Sequence, residues 1–273
     1  MNLRNYILVT GAYWGFTLTD GALRMLVLLH FFNLGYSPLT LAFLFLLYEF
    51  FGIVTNLLGG WIASRMGLRV TLVAGLALQV SALGMLALLN PHWSEVASVT
   101  WVMISQALSG IAKDLTKMSS KSAIKVLLPP DAKGALFKWV AVLTGSKNAL
   151  KGVGFFGGSF LLTTVGFAGA LWTMAGALAV VWIGSWLSLP RAMGKAKSKA
   201  GWRDLFSKSR EINVLCLARF FLFGARDIWF VVGVPVFLRG VLGWSFSQVG
   251  AFMAFWVIGY GIIQGAAHAH QRL

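Results

Sequence analysis

Residues 6–32 have the sequence YILVTGAYWGFTLTDGALRMLVLLHFF, an unbroken apolar segment that carries two opposite charges, Asp20 and Arg24. A helix needs roughly 20 apolar residues to cross the hydrocarbon of a bilayer, and this segment exceeds that length. It is also too long and too charged for a cleaved signal peptide. We therefore interpret it as a membrane-spanning helix that buries charge.

The composition extends this interpretation to the whole chain. Because 58% of the residues are hydrophobic and only 11% are charged, a water-soluble fold would leave too much apolar surface exposed. Long apolar segments recur without the alternation of a β-barrel strand. They cover residues 5–32, 39–63, 70–89, 97–120, 136–163, 167–189, 212–238 and 246–268. The sequence therefore predicts an all-α integral membrane protein with eight transmembrane helices.

The distribution of charge predicts the topology. The net charge of +15 is spread along the chain instead of being gathered in a soluble tail, so the bilayer, and not nucleic acid, is the expected partner. The connections 33–38 and 90–95 contain no Lys or Arg, whereas the alternate connections are basic. By the positive-inside rule both termini are expected in the cytoplasm. The single cysteine, Cys216, and four histidines without ligand spacing predict neither a metal site nor a cofactor.

The spans fall into two groups. The segment 190–211 is basic and polar, and it predicts a cytoplasmic linker between an N-terminal six-helix bundle, 1–189, and a partial two-helix bundle, 212–273. The sequence LGYS at 34–37 returns as LGWS at 242–245, and repeated halves are common in secondary transporters. A complete second half would bring the total to twelve helices, so we interpret the chain as C-terminally truncated.

Charged residues inside the spans are the candidate functional residues. Each costs about 2.5–3.5 kcal/mol on insertion scales, so their recurrence needs a reason. The candidate substrate-binding cations are Arg24, Lys113, Lys117, Lys147, Lys151 and Arg226, and the candidate charge-pairing or proton-coupling carboxylates are Asp20, Glu49, Asp114 and Asp227. With Arg219 included, cations exceed carboxylates by three, which predicts a small, multiply anionic substrate.

The sequence leaves the pairing of these charges open. Asp20 and Arg24 are four residues apart on one helix face and are expected to pair, either to order the bundle or to act in transport. Glu49 has no partner in its own span, which is consistent with a proton site or with a buried hydrogen bond. For Lys147 and Lys151, carboxylates on other helices or a bound anion must compensate.

The loop after the second span carries a family signature. Residues 60–69, GWIASRMGLR, resemble the loop motif of the major facilitator superfamily at Gly60, Arg65, Gly67 and Arg69, with Ser64 in place of the acidic residue. The resemblance implies the major facilitator fold and a loop that locks one state of the transporter. By contrast, GxGxxG at 152–157 lies inside a span, so it predicts close helix packing and not a nucleotide site.

Three further stretches resemble a narrower family. They are residues 11–24 (GAYWGFTLTDGALR), 109–121 (SGIAKDLTKMSSK) and 144–152 (TGSKNALKG). These are similar to the organoarsenical efflux permeases (ArsJ family) of bacterial arsenic-resistance operons, and the similarity extends to about Gly265. It implies export of 1-arseno-3-phosphoglycerate across the bacterial inner membrane, in functional partnership with a glyceraldehyde-3-phosphate dehydrogenase that makes this ester from arsenate.

Other functions stay open at this point. The same charges would suit a transporter of another phosphorylated or organic-anion metabolite, and a truncated chain could be an inactive permease. An enzyme is not expected, because no nucleophile with an adjacent base is found in the sequence.

Overall fold

A computed structural model of the protein describes residues 3–127, 133–191, 193–194 and 209–270. Helices account for nearly all of these residues, and no strand occurs among them, as the composition predicted. The helices are α1 (Leu3–Asn33), α2 (Pro38–Leu44), α3 (Leu46–Met66), α4 (Leu68–Ala87), α5 (Glu95–Leu127), α6 (Lys133–Ser188), α7 (Arg210–Asp227), α8 (Val234–Gly240) and α9 (Phe246–His270), with a π-helical segment, Ile228–Gly233, between α7 and α8.

Five segments of the described chain are long and apolar enough to cross a membrane. They are Arg4–Asn33, Pro38–Met66, Leu68–Ala87, Lys138–Ser188 and Phe246–Gln264. The fourth of these is long enough for two crossings, and its backbone leaves the helical conformation at Gly166, with φ 72° and ψ −178°. This conformation is essentially restricted to glycine. The two spans predicted at 136–163 and 167–189 are therefore joined directly, without a loop.

The predicted span 212–238 is wrong in one respect, because it is not one continuous α-helix. The π-helical segment Ile228–Gly233 interrupts it, and α8 begins immediately before Pro235. Proline has no backbone N–H and clashes with the preceding turn of an α-helix. The backbone hydrogen bonds consequently change from the α-helical to the π-helical pattern in this segment.

The two LG(Y/W)S sequences form the same kind of turn. Gly35 and Gly243 have positive φ angles of 88° and 69°, which glycine adopts without steric cost. The side chains of Ser37 and Ser245 then accept hydrogen bonds from the backbone N–H three residues later, at 3.1 and 3.3 Å. A serine in this position caps the N-terminus of a helix. The sequence repeat therefore corresponds to a repeated helix start, at α2 and at α9.

Close helix contacts bring the charged spans together. α1 packs along α6, and α3 packs along α5. A Cβ atom at Gly21 would lie 2.6 Å from the carbonyl oxygen of Lys151, and one at Gly110 would overlap the carbonyl of Tyr48. Gly154, from the GxGxxG sequence, likewise faces the backbone of α1 at Leu18. These glycines allow the helix backbones to touch, as expected for small residues in membrane helices.

Candidate functional site

A charged cavity lies between α1, α3, α5 and α6. Its volume is about 180 Å³. It is lined by Tyr13, Phe16, Thr17, Asp20, Arg24, Glu49, Lys113, Lys117, Lys147 and Lys151. Seven of the ten charged residues proposed from the sequence thus share one cavity, although four different helices supply them.

Glu49 connects three helices at one side of the cavity. Its carboxylate lies 2.6 Å from a guanidinium nitrogen of Arg24 on α1 and 3.2 Å from the ammonium of Lys113 on α5. The Arg24 side chain is only 4% exposed, so a charge-assisted pair is needed to keep it there. The sequence alone showed no partner for Glu49, because both of its partners come from other helices.

Tyr48 organises the same region, although its role was not apparent from the sequence. Its hydroxyl donates a short hydrogen bond to the carboxylate of Asp20. The guanidinium carbon of Arg24 lies 4.3 Å from the centre of its ring, and the ammonium nitrogen of Lys113 lies 4.1 Å from it. Aromatic rings attract cations at these distances. The one signal in the sequence was its position, next to Glu49 in the same span.

The predicted pair between Asp20 and Arg24 is not formed. Asp20 instead accepts the hydrogen bond from Tyr48 and lies 3.9 Å from the ammonium of Lys151, while Arg24 turns to Glu49. Spacing along one helix made the pair possible, but the partners on α3 and α6 compete for both side chains. The prediction is therefore wrong, and these charges join helices instead of stabilising α1 alone.

The charges of α5 form a second group, in which Lys113 and Lys117 line the cavity and Asp114 lies beside them. Asp114, whose side chain is 4% exposed, lies 2.8 Å from the ammonium of Lys117 and 3.9 Å from that of Lys113. Gly52 of α3 faces this group, and a Cβ atom there would lie 2.9 Å from an oxygen of Asp114. The glycine therefore makes room for the ions between α3 and α5.

The two lysines of α6 are less well compensated. Lys151 has only the 3.9 Å contact with Asp20 and a more distant contact, 5.8 Å, with the ring of Phe155. Lys147 makes no ion pair or hydrogen bond with any described residue. Together, five cations of the cavity face Asp20, Glu49 and the adjacent Asp114, which leaves two positive charges unmatched when all are ionised.

The charged residues of α7 are not among those that line the cavity in the described chain. Arg219 is exposed and is not one of the residues that line it. The side chains of Arg226 and Asp227 lie outside the described residues. Their roles therefore stay predictions.

The loop signature forms the junction between α3 and α4. Gly67 has φ 89° and ψ 155°, a conformation that side-chain-bearing residues rarely adopt. The guanidinium of Arg65 stacks on the ring of Trp61 at 4.5 Å, and the hydroxyl of Ser64 donates to the Trp61 carbonyl at 2.8 Å. Ser64, where the motif has an acid, thus bonds back to its own helix.

The remaining signature residues contact other helices. The guanidinium of Arg69 donates to the carbonyl of Trp186, near the C-terminus of α6, where a cation is favoured by the helix dipole. Leu68 donates its backbone N–H to the carbonyl of Met193 at 3.1 Å. Gly60 lies near Met118 of α5. The junction therefore ties α3 and α4 to both α5 and the end of α6.

The fold and the site define an integral membrane protein whose helices enclose a charged, solute-sized cavity. A family model described as "Major Facilitator Superfamily" matches residues 7–270, and the chain belongs to this family. No curated protein sequence matches it significantly. Among the described residues, no group of His, Cys, Asp or Glu side chains is arranged to hold a metal ion.

Solved structures of transporters share the fold. The chain is similar to the crystal structure of a D-xylose-proton symporter, with a TM-score of 0.59 and 15% identity over 94% of this chain and 65% of that one. Two crystal structures of a POT family transporter, with a thioalcohol-conjugated peptide and with 5-aminolevulinic acid, each give a TM-score of 0.52 and 17% identity over 89% of this chain. The chain spans 48% of the length of those two proteins. At these identities the likeness concerns the fold.

Proposed function

We propose that the protein is a secondary active transporter that exports a small, multiply anionic solute, and that this solute is 1-arseno-3-phosphoglycerate. The observation that carries the proposal is the surplus of positive charge in the cavity, with Lys147 unpaired among the described residues. Unmatched charges at membrane depth are costly. A solute with several anionic oxygens would compensate them, whereas a cation would be repelled.

The chemistry of the cavity favours recognition through oxygen atoms. Ammonium and guanidinium groups donate charge-assisted hydrogen bonds to phosphate-like oxygens, and an ester with a phosphate and an arsenate group offers such oxygens at both ends. The only cysteine, Cys216, is exposed on α7 and does not line the cavity. The protein would therefore bind arsenic as an arsenate ester and not through a thiolate.

The same cavity charges also suit a second candidate function, transport of another phosphorylated metabolite. Phosphate and arsenate present the same tetrahedral array of anionic oxygens, and the cavity residues would contact such groups only through cations and hydroxyls. The choice of the arsenate ester rests on the similarity of residues 11–24, 109–121 and 144–152 to the organoarsenical permeases.

The proposal includes the setting of the protein. We place it in the bacterial inner membrane with both termini in the cytoplasm, as the basic connections predict. The proposed domains are the six-helix bundle 1–189, the linker 190–211 and the two-helix bundle 212–273. A glyceraldehyde-3-phosphate dehydrogenase is the proposed functional partner, since it would supply the ester.

The test is arsenic retention in cells. Bacteria without other arsenic exporters would receive the full-length protein, the dehydrogenase, both or neither, and their arsenic content would be measured after exposure to arsenate. We expect low arsenic content only when both are present, and we expect Lys147→Gln to restore retention. Equal retention in all four strains would contradict the proposed substrate, and binding of phosphate esters without arsenic efflux would favour the second candidate.

A further inference from the structure

Four of the five cations of the cavity form two groups that differ in their partners, while the fifth, Lys117, pairs with Asp114. Arg24 and Lys113 share the carboxylate of Glu49, at 2.6 and 3.2 Å. Across the cavity on α6, Lys151 has only a 3.9 Å contact with Asp20, and Lys147 has no ion pair with a described residue. An anion entering the cavity would therefore meet little competition for the two lysines of α6.

A hydroxyl group of α1 is also unused at this cavity. Tyr13 is 2% exposed, and its hydroxyl has no hydrogen-bond partner among the described residues. Tyr13 nevertheless lines the cavity together with both lysines. An unsatisfied buried hydroxyl is destabilising, and the large majority of buried side-chain polar atoms in native proteins are hydrogen-bonded. The hydroxyl therefore keeps an unused hydrogen-bonding capacity in a residue that lines the cavity.

The packing of α1 on α6 holds Tyr13 on the lysine side. The indole nitrogen of Trp14, the next residue, donates to the hydroxyl of Ser146 at 3.1 Å, and Ser146 directly precedes Lys147. Further along both helices, Gly21 touches the backbone of Lys151. These two contacts fix the register of α1 against α6, so the donors come from two helices with little freedom to slide.

We infer that Tyr13, Lys147 and Lys151 form a subsite for one tetrahedral dianionic group, a phosphate or an arsenate. The inference rests on the proposed function, because it names the region of the cavity that receives the charged end of the solute. Two ammonium groups match the two negative charges, and the phenol donates to a third oxygen. Asp20 limits the charge at the subsite but does not close it, since its carboxylate already accepts from Tyr48.

The subsite implies that the solute binds with a defined orientation. Its most highly charged group would lie against α1 and α6. The remainder would extend toward Arg24, Lys113 and Glu49, where the cations are already partly neutralised. A solute with only one monoanionic group would gain less from the two lysines.

The test uses Tyr13→Phe with Tyr6→Phe as its matched control. Tyr6 lies two turns earlier on the same helix, is also buried, and does not line the cavity. Binding of 3-phosphoglycerate and of inorganic phosphate would be measured by calorimetry on the purified full-length protein, and thermal unfolding would be followed in parallel. We expect Tyr13→Phe to weaken both affinities about tenfold or more, as for a lost hydrogen bond to a charged group, without lowering the melting temperature.

The outcomes separate this inference from the proposed function. If the unaltered protein binds neither probe, the proposed function fails. If it binds both and Tyr13→Phe binds as well as Tyr6→Phe, the function stands and the subsite is overturned. A fall in melting temperature that accompanies the loss of affinity would also overturn it, because Tyr13 would then act within the fold. Lys147→Gln provides a second variant, with weaker binding expected for both probes.

Discussion

The guanidinium of Arg24 lies 2.6 Å from the carboxylate of Glu49, so that an ion pair joins α1 to α3 at the charged cavity. The ammonium of Lys113 approaches the same carboxylate at 3.2 Å and adds α5 to the group. One carboxylate therefore links three helices, and its removal should change both the stability of the protein and the net charge of the cavity.

We expect Glu49→Gln to destabilise the protein. The substitution leaves the guanidinium of Arg24 buried without its countercharge, and hydrogen bonds to charged groups contribute about 1.5–3 kcal/mol. The melting temperature of the purified protein in detergent should fall by several degrees. Glu95→Gln is the control, since Glu95 is exposed at the start of α5 and should change the melting temperature little.

The double variant Arg24→Met/Glu49→Met tests whether the unpaired charge of Arg24 causes the loss of stability in Glu49→Gln. Replacing both ions by apolar groups removes the unpaired charge, so the double variant should be more stable than Glu49→Gln. The melting temperatures of Arg24→Met, Glu49→Met and the double variant would be compared. If the decrease in the double variant equals the sum of the two single decreases, the ion pair is not the origin of the effect.

Tyr48→Phe should also lower the melting temperature. The change removes the hydroxyl that donates to Asp20 but keeps the ring on which Arg24 and Lys113 stack. A lost hydrogen bond to a buried carboxylate should cost about 1.5–3 kcal/mol. Thermal unfolding measures the effect, and the matched comparison is Tyr13→Phe, whose hydroxyl has no partner among the described residues. Equal melting temperatures for the two variants would contradict the assigned role of Tyr48.

The contact between α1 and α6 can be tested with two adjacent glycines. A Cβ atom at Gly158 would overlap the carbonyl of Ala22, whereas one at Gly157 would meet no atom within 4 Å. Gly158→Ala should therefore destabilise the protein, while Gly157→Ala should be neutral or stabilising by up to about 1 kcal/mol through helix propensity. Melting temperatures of the two variants provide the comparison. If both substitutions are tolerated equally, the helices do not touch at this point.

The junction between α3 and α4 gives a further prediction. Gly67 has φ 89° and ψ 155°, and a residue with a side chain should add about 1–3 kcal/mol of strain there. Gly67→Ala should consequently lower the melting temperature. Gly60→Ala is the control in the same signature, because its Cβ would make only an ordinary contact, 3.6 Å, with Met118.

The sequence predicted the helical membrane fold because long apolar segments leave few alternatives. It also placed Lys147 and Lys151 together, since residues four apart share one face of a helix. The pairing of charges could not be predicted in the same way. Glu49 meets Arg24 and Lys113 only because α1, α3 and α5 pack with a particular register, and spacing within one helix carries no information about register between helices.

The roles of Tyr48 and Tyr13 could not be predicted from the sequence for a related reason. An aromatic residue in an apolar span is usually an ordinary core residue, and apart from the position of Tyr48 next to Glu49 nothing in the local sequence marks either tyrosine. The hydrogen bond from Tyr48 to Asp20 depends on how the helices pack against one another. The same packing leaves the hydroxyl of Tyr13 without a partner among the described residues.

The most direct measurement is transport by the full-length protein reconstituted into liposomes. Uptake of labelled 3-phosphoglycerate would be compared with uptake of a neutral sugar, for the unaltered protein and for Lys147→Gln. We predict saturable transport of the anion alone, and a loss of about tenfold or more when the Lys147 charge is removed. Transport of the neutral sugar without the anion, or anion transport that is unchanged in Lys147→Gln, would contradict a cavity built to carry multiply charged anions.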